Sequence, residues 1–138
     1  MPAPPSAKEV RAAAGKEGCD AIPYLDLRRA GKREYEKQKS VCKDFSCDSL
    51  TEIEEIEAAL ERAKACRQRR INVRTIFKQA IGRVTAVLRK MTPGDPLKPD
   101  LEDILEALEG SKKGHDKAID EVNNAFLKCE KKRKKLGN

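Results

Sequence analysis

Val73, Ile76, Phe77, Ala80, Ile81, Val84, Val87, Leu88 and Met91 recur every three or four residues, a period that fits an amphipathic helix and no strand. Ile53, Ile56, Leu60, Ala63 and Cys66 repeat the pattern just before. No stretch alternates with period two, and no internal repeat is visible. Ala, Glu, Lys, Leu and Arg dominate the chain, and all five favour helix. The expectation is an all-α protein, a helical bundle of about four main helices plus one or two short ones, in a single domain over residues 1–138.

Caps and breakers set the expected boundaries. Ser6-Ala-Lys-Glu9 is a capping-box pattern and predicts a short helix over 7–14, after a Pro-rich, linker-like start at residues 1–6. A charged helix follows over 25–39, with Leu25, Leu27 and Tyr35 as apolar contacts and Gly31 weakening it by about 1 kcal/mol. Ser49-Leu-Thr-Glu52 opens the next helix, which should run to about Arg70, where Asn72 breaks or caps it. The helix over 73–91 ends at Thr92-Pro-Gly-Asp-Pro96. Pro99 or Asp100 begins a short helix through Leu101, Ile104, Leu105 and Leu108, ended by Gly110. Gly114 precedes the last helix, with a stripe of Ala118, Ile119, Val122, Ala125, Phe126 and Cys129. Residues 131–138 read as a frayed basic tail. The N-terminus has neither the basic region nor the apolar run of a signal peptide, and no stretch reaches the roughly 20 apolar residues of a membrane helix.

The formal charge is +7, from 30 basic and 23 acidic residues. Such a field attracts nucleic acid, an anionic membrane surface or an acidic protein. Only 4% of residues are aromatic, which argues against a surface that stacks bases and points to phosphate contacts instead. Arg67, Arg69, Arg70 and Arg74 form one basic group, Arg28, Arg29, Lys32 and Arg33 another, and the tail a third. Each of the first two is read more simply as a solvated charged face interleaved with Glu; clusters of this kind can also hold phosphates or an acidic partner.

His115 is the only histidine, hence the only side chain that titrates near neutrality unperturbed. The expected boundaries put it in the first turn of the last helix, where free N–H groups and the dipole favour an anion. Lys112, Lys113 and Lys117 would surround a phosphate there. RNA cleavage needs a base for the 2′-hydroxyl proton, positive charge on the phosphate and an acid for the leaving oxygen. His115, with Lys117 and Asp120, is the candidate catalytic set; Lys112, Lys113, Arg67, Arg70 and Arg74 are candidates to hold the substrate. The alternative is that His115 merely begins a buried stripe. Asp116 and Asp120, one turn apart, can share a cation, but a helix start also favours acids, and no metal or cofactor is expected.

The five cysteines are Cys19, Cys42, Cys47, Cys66 and Cys129. With one His and no Cys-x-x-Cys, a structural zinc site is improbable. Cys66 and Cys129 fall on apolar faces, the other three in or beside loops. One or two disulfides plus a free thiol, or five reduced cysteines, both fit; a loop-to-helix crosslink contributes about 2–4 kcal/mol. The sequence does not set the connectivity.

Gly114-His-Asp-Lys-Ala-Ile119, followed by Ala125 and Cys129, is similar to the end of a small, all-helical, Cys-containing class of toxin domains found at the C-termini of bacterial polymorphic toxins. Cys42 and Cys66 are in keeping with that class. The resemblance implies an effector domain delivered into rival cells as part of a larger carrier and acting in the recipient cytoplasm. It also implies a cognate immunity protein in the producer, acidic given the basic charge of this chain. It marks His115 as functional. The leading expectation is therefore an antibacterial toxin that cleaves RNA without metal. The alternatives are a non-enzymatic basic helical module that binds an acidic protein or nucleic acid, and a membrane-perturbing toxin, which would need oligomers or a rearranged core.

Overall fold

The computed structural model describes residues 18–137. Among them a 3-10 turn at Gly18–Ala21 precedes three α-helices: α1 (Leu25–Val41), α2 (Ile53–Lys90) and α3 (Lys98–Gly137). The described residues include no strand. The all-α class stands, but with three main helices instead of about four; the helix expected over 7–14 lies outside the described residues.

Two expected breaks are absent. α2 runs straight through Asn72, whose side chain turns away from the backbone: its amide nitrogen donates to Glu34 Oε2 (3.2 Å) and its carbonyl oxygen accepts from Gln68 (2.9 Å). An Asn occupied in this way offers the chain no alternative to the helical hydrogen bond. The buried residues also keep phase, since Ala59, Ala63, Cys66, Val73, Phe77, Ala80 and Val84 follow one another at three, four or seven.

α3 likewise passes through Gly110 and Gly114. Each glycine costs about 1 kcal/mol relative to Ala, too little to outweigh the buried stripe on either side. Leu108 and Ile119, both buried, are eleven residues apart, and at 3.6 residues per turn that spacing returns to within about 20° of the same face. The tail is not frayed either; α3 continues through it to Gly137.

Other boundaries lie close to expectation. α2 ends at Lys90, just before the Pro-Gly-Asp-Pro turn, and the Asp95 side chain accepts from the Leu97 N–H at 2.9 Å, a turn that leads the chain into α3. α2 begins at Ile53, later than the Ser49 capping pattern suggests. Leu50 explains the delay: its N–H bonds to the Cys47 carbonyl (3.1 Å), and its side chain packs on buried Cys47, Ile56, Ala59, Leu60 and Cys129.

The helices divide between two compact units. One holds residues 18–33 and 74–114. There Gly31 is buried, and a Cβ on it would lie 3.4 Å from Cys19 Sγ and 3.5 Å from Ile22 and Ile76. Arg83 pairs with Asp26 at 3.1 Å and stacks on Tyr24, 5.0 Å from the ring centre. The other unit holds residues 34–73 and 115–137 and contains His115.

Candidate functional site

The unit of residues 34–73 and 115–137 is built around a short connection between α1 and α2. Disulfides Cys42–Cys66 (Cα–Cα 4.7 Å) and Cys47–Cys129 (5.5 Å) fasten this connection to α2 and α3. Both join a cysteine in the connection to one on an apolar helix face. Cys19 belongs to the other unit and is a free thiol, pushed up by burial and by Asp20 against the opposing pull of Lys32.

Polar anchors add to the crosslinks. Asp44 takes a left-handed backbone (φ 54°), which Asp tolerates better than most residues, and its carbonyl accepts from Arg62 Nε at 2.8 Å. Lys132, from the stretch expected to fray, donates to the carbonyls of Cys47 (2.6 Å) and Asp48 (3.1 Å). Phe45 packs on Ala63, Cys66 and Val122.

Arg70 lies over this assembly. Its guanidinium carbon is 5.6 Å from the centre of the Phe45 ring, within cation–π range, and its Nη1 donates to the Ala118 carbonyl at 2.5 Å. One helical turn from Ala118 is His115, half-buried. Burial pushes the His115 imidazole below its ordinary value, the charge of Arg70 pushes it further down, and Asp116 opposes both. Burial and Arg70 therefore both favour the neutral ring, the form that can accept a proton.

His115 stands inside α3, seventeen residues after Lys98, so its first-turn position is corrected: neither free helix N–H groups nor the positive dipole end is available to an anion there. What the structure brings to His115 instead is Arg70. Lys117 and Asp120 are exposed and, at about 100° per residue, sit roughly 160° and 140° around α3 from His115. Arg67 stays in this unit, 3.5 Å from Asn123 Oδ1 and over the Phe126 ring at 5.7 Å. Arg74, Lys112 and Lys113 belong to the unit of residues 18–33 and 74–114.

Arg69 completes the polar framework by donating to both Glu34 oxygens (3.4 and 3.2 Å). Burial alone would raise the Glu34 carboxyl; the hydrogen bonds of Asn72 and Arg69, with the charges of Arg69 and Lys37, overcome it and hold the pKa below the usual range. Beside the disulfides, Phe45, Ser46, Asp48, Glu121, Asn124 and Lys128 line an open cleft of ≈ 290 Å³. Both signs of charge meet there.

No sequence pattern singles out Phe45 or Lys132: Phe45 is one of three phenylalanines, and Lys132 lies in a run of similar charges. Among the described residues no group of three His, Cys, Asp or Glu side chains could hold a metal, and no helix is long and apolar enough to cross a membrane. No family model, curated protein or solved structure matches the chain.

Proposed function

We propose that the chain is an antibacterial effector domain that cleaves RNA without metal, with His115 as the acid–base group and Arg70 as the positive charge beside it. One observation carries the reading: the sole imidazole is half-buried and depressed in pKa by burial and by the charge of an arginine that is itself tied down one helical turn away, at Ala118. Depressed pKa values and charge partners of this kind are enriched at functional sites. The reading rests on His115 and Arg70 rather than on Lys117 and Asp120.

The chemistry follows from those two groups. Neutral His115 takes the 2′-hydroxyl proton as the 2′-oxygen bonds to phosphorus. The P–O5′ bond breaks, and the imidazolium returns a proton to the departing 5′-oxygen. The products are a 2′,3′-cyclic phosphate and a 5′-hydroxyl, while the guanidinium offsets the charge that grows on the phosphoryl oxygens.

Two closed disulfides fit a domain that passes through an oxidising space, as delivery by a larger carrier requires. An acidic immunity protein in the producer and the recipient cytoplasm as site of action belong to the same proposal. Expression without such a partner should arrest bacterial growth, and His115→Ala should relieve the arrest while circular dichroism stays unchanged. Full toxicity of the folded variant removes the catalytic role.

A specific feature favours a second reading, the non-enzymatic basic module. From Arg62 to Lys90 α2 contains no Asp or Glu, yet carries Arg67, Arg70, Arg74, Lys78 and Arg89 among its basic residues. That reading requires steeply salt-sensitive binding of RNA or an acidic protein, with no turnover.

A further inference from the structure

Arg70 would be a poor partner for His115 if it were free to move. An arginine side chain has several rotatable bonds to immobilise, so something must hold the guanidinium before it can act steadily on a neighbour. Its hydrogen bond to Ala118 O fixes one end of the group. Its flat face is covered by Phe45, which belongs to neither helix but to the connection between Cys42 and Cys47. Both ends of that six-residue stretch of chain are covalently fastened, one to α2 and the other to α3, and Arg62 holds the intervening Asp44 carbonyl.

Phe45 serves two neighbours at once. It packs on the buried cluster of Ala63, Cys66 and Val122, and its ring lies within cation–π range of the Arg70 guanidinium, an attraction that a Leu or Met in its place would not supply. The connection is also anchored more often than its length requires: two disulfides, Arg62 and the two hydrogen bonds from Lys132 all act within residues 42–48.

We propose that Phe45 is a positioning residue: the doubly crosslinked segment 42–47 presents its ring to Arg70 and so holds the guanidinium at His115. Phe45 does not touch the reacting groups and acts only through Arg70. For its catalytic consequence the proposal rests on the reading of His115 as the acid–base group; the placement itself does not. The charged groups that bear on the imidazole are Arg70 from α2 and Asp116 from α3.

The test uses the intact chain and its single imidazole, whose ring C–H resonances have no counterpart elsewhere in the protein. Titration of these resonances by NMR reads His115 directly. Phe45→Tyr keeps the ring and should leave the midpoint where it is in the wild type. Phe45→Leu keeps the apolar packing, releases the guanidinium and should move the midpoint up. In an Arg70→Gln background the charge is already gone, and Phe45→Leu should then move nothing.

An unmoved midpoint in folded Phe45→Leu overturns the proposal, and so does an equal shift with and without Arg70. If Phe45→Leu does not fold, Phe45→Met makes the same comparison. In RNA cleavage Phe45→Leu should lower kcat by about 10- to 100-fold, the size of effect expected from a small misplacement, with KM little changed. A wild-type chain that cuts no RNA would remove the nuclease reading, whereas the titrations decide the role of Phe45 by themselves.

Discussion

Removing the two disulfides one at a time should reveal unequal contributions, and the difference can be worked out from chain separation. Cys42–Cys66 closes a loop of sequence separation 24, and Cys47–Cys129 one of 82. Loop-closure entropy then gives about 3.4 kcal/mol for the first and about 4.5 kcal/mol for the second at 25 °C. Cys66 and Cys129 are fully buried and Cys47 nearly so, whereas Cys42 is partly exposed, so paired replacement by Ala leaves the larger cavity at Cys47–Cys129. The cavity cost therefore has the same sign as the loop term. The expected difference is at least about 1.1 kcal/mol, the part set by the ratio of the loop lengths. Urea unfolding followed by circular dichroism on Cys42→Ala/Cys66→Ala and on Cys47→Ala/Cys129→Ala measures it. Excess dithiol should bring the wild type down to the level of a variant lacking all four cysteines. The reasoning fails if the longer bridge contributes no more than the shorter, or if either loss is below about 1 kcal/mol.

Three further outcomes are expected. Gly114→Ala should stabilise the protein by about 0.5–1 kcal/mol, because a Cβ there meets nothing within 4 Å and the residue lies inside a continuous helix; a loss of stability in thermal melts would restore the helix break. Lys132→Met should cost about 1–3 kcal/mol by leaving the Cys47 and Asp48 carbonyls without their charged donor, whereas Lys131→Met should change stability by less than about 0.5 kcal/mol; equal effects in denaturant titrations would return Lys132 to the solvated tail. His115 titrates lower in the folded chain than in the unfolded one, so the unfolded state binds more protons between the two values and stability falls as pH drops from the ordinary imidazole range through the folded pKa. His115→Gln should flatten that part of the stability–pH curve, and an unchanged slope would argue against a depressed imidazole.

Helical class was legible because the apolar period is strong and nothing competes with it. Helix number was not, for a specific reason. Asn72, Gly110 and Gly114 are residues that commonly end helices, but each carries a local cost of only about 1 kcal/mol or less. The decisive signal was longer in range. The buried stripes on either side of each residue are in phase, Cys66 with Val73 and Leu108 with Ile119, and a true break would have reset that phase.

Helix continuity also bears on the site. At a helix start, His115 would gather Lys112, Lys113 and Lys117 around an anion; within a continuous α3 it has no free N–H groups to offer one, and the charge of Arg70 bears on it. Arg70 was among the candidates, but its partner on the imidazole side depends on a contact between residues far apart in sequence. Phe45 depends further on two crosslinks whose pairing the spacing of five cysteines leaves open.

Whether a neutral imidazole beside a fixed arginine cleaves RNA is decided most directly by the ends it leaves. A short synthetic RNA incubated with the protein in excess chelator, then read by mass spectrometry, should carry 2′,3′-cyclic phosphate and 5′-hydroxyl termini, and a folded His115→Ala variant should leave it whole. Intact RNA with the wild type, or fragments ending in 3′-hydroxyl and 5′-phosphate, would contradict the account.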